Sequence, residues 1–262
     1  MPEVSFGHFL CYYEFMKFHI ITLFPNMFDS YLGESILGRA IKQKKISVTF
    51  VNPRNFVSGK YKKIWPDGNV SRQIDERPYS GGPGMIMMAE PILKAVEKVR
   101  TSIMKRFSKS SDGGGQGTRL EKTLHNLRPK ILVINFIPSA EKFTTNIAKN
   151  ISKKYTDVIL ICGRYEGIDA RVDKILKTTK YSIGDYVLTG GEIPAMILID
   201  SVSRQIEGVL GNFDSREEER VSSSEVYTRP EVLIHNKKKY KVPSVLLSGD
   251  HKKIEEWKNL TK

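Results

Sequence analysis

Apolar and polar residues follow one another along this chain in blocks that predict strands and helices in alternation. Compact apolar runs predict buried strands at residues 17–24, 46–51, 131–136 and 158–162. Apolar residues also recur at helical spacing, and they predict helices near residues 36–41, 89–99, 141–152, 168–176 and 193–206. Strands that alternate with helices predict an α/β domain with a mainly parallel sheet.

Three segments break this pattern inside or after the main block. Residues 52–80 are polar and rich in turn-forming residues, so they predict a long surface loop. Residues 108–118 (SKSSDGGGQGT) are of low complexity and predict a flexible insertion. Residues 211–225 are charged and Ser-rich without an apolar period, and they predict a linker.

These breaks divide the chain into domains. Residues 16–210 form the predicted main domain, and residues 226–262 form a small, mostly helical C-terminal domain with Trp257 on its last helix. A domain of this size seldom folds unaided, so we expect it to dock onto something else. Residues 1–15 precede the first strand and are interpreted as an N-terminal extension or a mis-called start.

The charge balance points to a polyanionic partner. The chain has 42 basic and 29 acidic residues, a formal net charge of +13, which favours nucleic acid over a membrane surface. The two cysteines, Cys11 and Cys162, lie far apart without metal-type spacing, which argues for a reducing cytoplasm and against a disulfide scaffold or zinc site. We find no apolar stretch that could span a bilayer and no convincing signal peptide, so we expect a cytoplasmic protein.

Two glycine-rich turns dominate the candidate chemistry. Gly-Arg-Tyr-Glu-Gly occupies residues 163–167, and Ser-Ile-Gly-Asp-Tyr-Val-Leu-Thr-Gly-Gly occupies residues 182–191. Glycines let the main chain approach a small molecule closely, so the two turns together predict a ligand pocket. A dinucleotide fold has its glycine turn after the first strand, whereas here that strand runs into Pro25. The pocket is therefore built late in the chain, unlike that of a Rossmann-type enzyme.

Several motifs occur in one order along the chain, at residues 17–28, 75–85 (DERPYSGGPGM), 163–169, 182–191, Arg204 and 227–232 (YTRPEV). Together they resemble bacterial tRNA (guanine-37-N1)-methyltransferases of the SPOUT superfamily, from Met16 nearly to the C-terminus. The resemblance implies helices on both faces of the sheet, a deep C-terminal trefoil knot, one of the rare exceptions to unknotted topology, and a homodimer. It also implies S-adenosylmethionine as methyl donor, tRNA with G at position 37 as acceptor, and Mg²⁺ without assigned protein ligands.

The resemblance implies a donor site made of three loops. Its residues are Pro138, Gly163, Gly167, Ser182, Ile183, Gly184, Asp185, Tyr186, Val187, Leu188, Gly190, Gly191 and Pro194. One departure concerns the first loop, because relatives often carry Ser-Pro-x-Gly where this chain has Ile-Pro-Ser-Ala at residues 137–140. Ordinary helix-start and core packing is the alternative interpretation of Leu188 and Pro194.

The resemblance also implies three catalytic residues. N1 of guanine is a poor nucleophile until its proton leaves, so a carboxylate base and a cation near O6 would serve the reaction. Glu219, four residues after a serine in the linker, is the predicted base, with Glu218 as its rival. Arg204 is the predicted catalytic arginine, and its alternative interpretation is a surface arginine at a helix end. Glu166 is expected to face the donor's positive charge. The alternative for Glu166 is an ion pair with a neighbouring arginine.

The tRNA contacts are expected from basic and aromatic residues on loops, namely Arg54, Lys60, Lys62, Lys63, Arg77, Tyr79, Arg229 and Lys237, Lys238 and Lys239. The flipped guanine is expected against residues 75–84, whose glycines permit close approach. Two other functions stay open at this point. One is a non-catalytic knotted RNA-binding protein, and the other is a small-molecule α/β enzyme.

Overall fold

The computed structural model describes residues 15–111, 129–211 and 225–260. The chain divides into two compact units, Met1–Leu210 and Gly211–Lys262. The strands are β1 (Met16–Ile21), β2 (Ile46–Val51), β3 (Lys62–Ile64), β4 (Val70–Arg72), β5 (Asp75–Glu76), β6 (Ile86–Met87), β7 (Ile131–Phe136), β8 (Asp157–Ile161), β9 (Thr179–Tyr181), β10 (Val232–His235) and β11 (Lys238–Lys241). The helices are α1 (Asp29–Gly33), α2 (Ser35–Lys42), α3 (Ala89–Ser111), α4 (Thr145–Lys154), α5 (Arg171–Leu176), α6 (Glu192–Ser203), α7 (Ser244–Leu247) and α8 (His251–Leu260).

The first unit is built on a five-stranded sheet in the order β2-β1-β8-β7-β9. All four strand pairings are parallel, and in the middle of the sheet Phe18 lies opposite Val48 on one side and Val158 on the other. The predicted α/β class with a mainly parallel sheet is therefore confirmed. Strands β2 and β7 have the bounds that the apolar runs predicted, and β8 begins one residue earlier.

Successive strand residues point to opposite faces of this sheet, and each face carries its own apolar core. On one face Phe18 and Ile134 pack with residues of α1, α2, α4 and α6. On the other face Ile21 and Ile159 pack with residues of α3 and α5. Helices therefore cover both faces, and this explains why β8 is apolar throughout rather than alternating.

Several expectations about this unit were wrong in their bounds. The strand predicted at residues 17–24 ends at Ile21, and the helix predicted at residues 193–206 ends at Ser203. The predicted loop at residues 52–80 contains an antiparallel hairpin of β3 and β4, whose strands are too short to give a period-2 signal. Helix α3 was expected to end at Val99, but it continues to Ser111 and so takes in the start of the predicted flexible insertion. The rest of that insertion, residues 112–118, lies outside the described residues. Helix α4 begins at Thr145, because the Thr144 hydroxyl caps it by accepting from the Ile147 N–H.

The second unit contains a hairpin as well as helices. Strands β10 and β11 pair antiparallel across a two-residue turn at Asn236 and Lys237, which both have positive φ. Two residues with positive φ are typical of a tight hairpin turn, which usually contains glycine. Because this turn has no glycine, the sequence did not predict the hairpin. The prediction of a mostly helical domain missed this hairpin. Trp257 lies on the last helix, α8, as expected, and packs against the Tyr227 ring with centroids 6.1 Å apart.

Candidate active site

The three predicted donor loops begin at the carboxyl ends of three neighbouring strands. Pro138 follows β7, the turn at residues 163–167 follows β8, and the loop at residues 182–191 follows β9. In parallel sheets these ends meet at one edge, where open α/β proteins bind their ligands. The structure thus places at one edge of the sheet all the loops that the sequence resemblance assigns to the donor.

The direction of the chain crossovers makes this edge a crevice. After β7 the chain continues into α4, which packs on one face of the sheet, whereas after β8 it continues into α5, which packs on the other face. Two adjacent strands whose following loops leave toward opposite faces form a topological switch point. The first two donor loops flank this point.

Main-chain hydrogen bonds hold the three loops together. The Phe143 N–H donates to the Ser182 carbonyl at 2.7 Å, and the Ser182 N–H donates to the Glu141 carbonyl at 2.8 Å. The Gly191 N–H donates to the Gly163 carbonyl at 2.9 Å and so joins the two glycine-rich turns. These three contacts between the loops are made by backbone groups and not by side chains.

Gly191 is needed for the approach of these two turns. A Cβ atom at this position would lie 2.7 Å from the Cα of Cys162 and 3.0 Å from the N of Gly163. Both are main-chain atoms that no rotamer change can move aside. The close approach of the two turns therefore requires glycine at position 191.

The middle of the third loop offers main-chain groups to a ligand. No backbone N–H from Asp185 to Thr189 donates a hydrogen bond to any residue that the structure describes. Tyr186 and Val187 in this stretch are exposed, and the Tyr186 hydroxyl donates to the Ile183 carbonyl at 3.2 Å. Such a row of backbone donors beside two glycine turns suits a small-molecule ligand with hydrogen-bond acceptors.

A buried ion pair fixes the second donor loop against the third. The Arg164 Nε lies 3.0 Å from the Glu192 Oε2, and the Glu192 Oε1 accepts from the Thr22 hydroxyl at 2.8 Å. The Arg164 guanidinium also lies over the Phe24 ring at 4.7 Å and donates to the Thr189 carbonyl at 3.3 Å. Sequence reasoning missed both Thr22 and Glu192, although a polar residue at the end of an apolar strand and an acid directly after a glycine pair were available signals.

The negative charge of Glu192 also affects the pKa of the nearby Cys162 thiol. Burial and then the negative charge of Glu192 raise the pKa of the Cys162 thiol well above its usual range. Arg164 acts in the opposite direction, and its effect is smaller. Cys162 is therefore a buried, neutral thiol next to the glycine turns.

Glu166 does not form either of the ion pairs considered for it. Arg164 pairs with Glu192, and Arg171 pairs with Asp169, so both neighbouring arginines are engaged elsewhere. The Glu166 side chain is exposed, and its carboxylate has no hydrogen-bond or ion-pair partner among the described residues. Its carboxylate is thus available to a positively charged ligand.

The segment expected to receive the guanine lies directly against the first glycine turn. The Glu166 N–H donates to the Met85 carbonyl at 3.0 Å, the Met87 N–H to the Gly167 carbonyl at 2.9 Å, and the Asp169 N–H to the Met87 carbonyl at 3.0 Å. Residues 85–87 directly follow residues 75–84, which we call the predicted acceptor loop, and they pair through the main chain with the turn at residues 163–167 and with Asp169.

Arg204 lies apart from these loops. It caps the C-terminal end of α6, whereas Gly190 and Gly191 precede the N-terminal end of the same helix. A helix of 12 residues is ~18 Å long, so the arginine and the glycine turns of one chain do not share one pocket. Pro194, in contrast, is buried in the first turn of α6, where its missing N–H removes no helical hydrogen bond.

Two further sequence expectations concern the candidate bases and the first donor loop. Glu219 and Glu218, the candidate bases, lie outside the described residues. Ala140 stands where relatives often carry glycine, and its N–H closes a turn by donating to the Ile137 carbonyl at 3.1 Å. Ala140 has no positive φ, so this turn does not require glycine, and Pro138 remains exposed beside it.

Neither a metal centre nor a membrane segment is evident in the described part of the chain. No three His, Cys, Asp or Glu side chains come together there in a way that could hold a metal ion. No helix within these residues is long and apolar enough to cross a membrane.

Comparison with known proteins supports the resemblance found in the motifs. The family model described as tRNA (Guanine-1)-methyltransferase TrmD matches residues 16–262. A tRNA (guanine-N(1)-)-methyltransferase of Clostridioides difficile (strain 630) is 40% identical over 248 residues, which cover 93% of this chain and 90% of the relative. Enzymes of the same name are 39% identical in Pseudoalteromonas atlantica, over 92% of this chain and 78% of the relative, and 40% identical in Alkaliphilus oremlandii, over 93% and 86%. The chain belongs to the tRNA (guanine-1)-methyltransferase TrmD family.

Proposed function

We propose that this protein transfers the methyl group of S-adenosylmethionine to N1 of guanine 37 in tRNA. Membership of the family makes it an enzyme that methylates N1 of guanine in tRNA. The donor, the position of the guanine and the residues that act on it are the proposal. The observation that carries it is the meeting of the three donor loops at a switch point of a parallel sheet.

The donor site that we propose consists of main-chain groups and one carboxylate. Free N–H groups in residues 185–189 would hold the adenine, and the turns at residues 163–167 and 190–191 would leave room for the rest of the molecule. Glu166 would face the positive charge of the sulfonium or of the methionine amine. When bound, S-adenosylmethionine supplies an electrophilic methyl group on a cationic sulfur. The protein's part is to hold that methyl in line with N1.

The acceptor site would supply a base and a cation. Glu219 in the linker would accept the N1 proton, so that the nitrogen lone pair becomes available to form the new bond. Arg204 would stabilise the negative charge that develops on O6. The N1 proton would end on the carboxylate of Glu219, and transfer of the methyl group to N1 would leave a neutral thioether on the donor.

The separation of Arg204 from the donor loops supports a site shared between two copies. Helix α6 exposes Ile193 and Ile197, which are four residues apart and so lie on one face. If two copies pack through this face with their α6 helices antiparallel, the Arg204 end of one lies beside the glycine turns of the other. The homodimer implied by the resemblance would thus complete the active site.

The substrate assignment can be tested with labelled S-adenosylmethionine and tRNA transcripts that carry G or A at position 37. We expect transfer to the G37 transcript alone. Binding of the donor without transfer to either transcript would favour a non-catalytic knotted RNA-binding protein. Transfer to the A37 transcript at an equal rate would contradict the proposed position.

The shared site can be tested by subunit mixing. Arg204→Ala and Glu166→Ala chains are each expected to be nearly inactive as homodimers. If the site is shared, random mixing restores about a quarter of the wild-type rate, because half of the dimers are mixed and each has one intact site. Mixed dimers without activity would place Arg204 and Glu166 in the same chain's site. The control is a mixture of Arg204→Ala with Arg204→Lys chains, which offers no intact site in either arrangement.

The tRNA contacts, the knot, the cellular location and the role of Mg²⁺ stay predictions. Loop and tail cations, among them Lys60, Lys62 and Lys63, are proposed to bind tRNA phosphates, so tRNA affinity should fall steeply with salt. The trefoil knot, the cytoplasmic location and the involvement of Mg²⁺ follow from the resemblance and the composition.

A further inference from the structure

Gly84, in the predicted acceptor loop, lies against the side chain of Glu166. A Cβ atom at position 84 would be 2.5 Å from the Glu166 Cγ, 3.0 Å from its Oε1 and 3.1 Å from its Cδ. The methylene chain of Glu166 thus crosses the surface of Gly84, and no side chain fits between them. Because Glu166 is exposed, its side chain would turn away from a bulkier neighbour rather than force the backbone apart.

The backbone on both sides of this contact is fixed. The Glu166 N–H donates to the carbonyl of Met85, which directly follows Gly84, and the Met87 N–H donates to the Gly167 carbonyl. The two chain segments therefore cannot slide relative to each other without breaking main-chain hydrogen bonds. Among the described residues no hydrogen bond or ion pair holds the Glu166 carboxylate, so its position depends on packing, and that packing includes the contact with Gly84.

We infer that Gly84 is a positioning residue, which holds the Glu166 carboxylate toward the donor by leaving its methylene chain room across the acceptor loop. The inference rests on the proposed function, because it assigns Glu166 to the positive charge of S-adenosylmethionine. It also links the two substrates. The loop expected to contact the guanine would, through Gly84, set the position of a carboxylate that contacts the donor.

The chain provides a matched control for this role two residues earlier. Gly82 has φ +93° and Gly84 has φ +92°, so alanine is strained to a similar degree at both positions. A Cβ atom at Gly82 meets nothing within 4 Å. Gly82→Ala therefore reproduces the backbone strain of Gly84→Ala without the contact to Glu166.

The test is equilibrium binding of S-adenosylmethionine to the full-length protein, without tRNA, for Gly84→Ala, Gly82→Ala, Glu166→Ala and both glycine variants combined with Glu166→Ala. We expect Gly84→Ala to weaken binding by about tenfold and Gly82→Ala by less than about twofold. In the Glu166→Ala background, Gly84→Ala is expected to add less than about a twofold change, because the Cγ atom it would meet is gone.

Thermal unfolding of the same variants shows whether a loss of donor affinity comes from the position of Glu166 or from a general loss of protein stability. We expect the two glycine variants to lose similar amounts of stability, so that only donor affinity distinguishes them. Equal donor affinities for Gly84→Ala and Gly82→Ala, or a full tenfold loss from Gly84→Ala in the Glu166→Ala background, would overturn the inference and leave the proposed function standing. A wild-type protein that does not bind S-adenosylmethionine would overturn both.

Discussion

Arg164 and Glu192 form an ion pair inside the protein, with 3.0 Å between Nε and Oε2, and the Glu192 side chain is only 1% exposed. The two atoms lack the alignment of a hydrogen bond, so the attraction is that of opposite charges at short range. Arg164 belongs to the turn after β8, and Glu192 begins α6. The pair therefore joins the two glycine-rich turns that the sequence first singled out.

Replacing one member of this pair leaves the other charge buried. Glu192→Gln keeps the size of the side chain and an acceptor for Thr22, but it removes the negative charge. We expect the free energy of unfolding to fall by about 3 kcal/mol, as for other broken buried pairs, and donor affinity to fall with it. Urea unfolding measures the first effect. The control is Glu90→Gln, which removes the exposed pair with Lys94 and should change stability by less than about 0.5 kcal/mol. Equal stabilities of the two variants would contradict the prediction.

Gly191→Ala should disturb the donor site directly. The added Cβ would meet main-chain atoms of Cys162 and Gly163, so the two turns must separate. We expect donor binding to weaken by at least about tenfold, together with a loss of stability. Gly33→Ala is the matched control, because Gly33 also has ordinary φ and nothing lies within 4 Å of its Cβ position. Wild-type donor affinity in Gly191→Ala would show that the turns can part without effect.

Acid should destabilise the protein through Asp157. Burial raises the pKa of this carboxyl, but hydrogen bonds from His19, Arg106 and Thr156 outweigh it and lower the pKa to about 2. The folded value lies below the unfolded value of about 3.9, so the stabilisation is present above pH ~4 and is lost as the pH falls toward ~2. The loss amounts to ~2 kcal/mol.

Urea unfolding between pH ~6 and ~2.5 tests this, with Asp157→Asn as the comparison. The variant is expected to be less stable at neutral pH but to lose less stability on acidification, because it lacks the titrating group. Parallel pH profiles for the two proteins would assign the acid sensitivity to other carboxyls.

Cys162 should be unreactive until the protein unfolds. Its thiol is 1% exposed, and burial together with Glu192 raises its pKa, so little thiolate forms at neutral pH. In a Cys11→Ser variant, which leaves Cys162 as the one thiol of the sequence, we expect a thiol reagent to react only after denaturant is added. Rapid reaction in the native protein would show that the glycine turns open readily.

Much of the fold could be predicted because the strands are apolar on both faces. Both ends of the strand at residues 131–136 were predicted correctly. Helices cover both sides of the sheet, so every position of this strand is buried or partly buried and the apolar run matches the strand. The hairpin of β3 and β4 was missed, because its residues are mostly exposed and the apolar pattern says nothing about exposed strands. The end of α3 was missed for a similar reason, since its last turns are polar.

The sequence by itself determined the family, the α/β class and the two glycine-rich turns, because these depend on residue types in a fixed order along the chain. The tertiary structure alone decided which side chains meet. It paired Arg164 with Glu192 instead of Glu166, laid Glu166 across Gly84, and separated Arg204 from the glycine turns by the length of α6. Arg164 and Glu192 are 28 positions apart in the sequence, and Gly84 and Glu166 are 82 apart. Only the three-dimensional arrangement of strands and helices determines which of such distant residues come into contact.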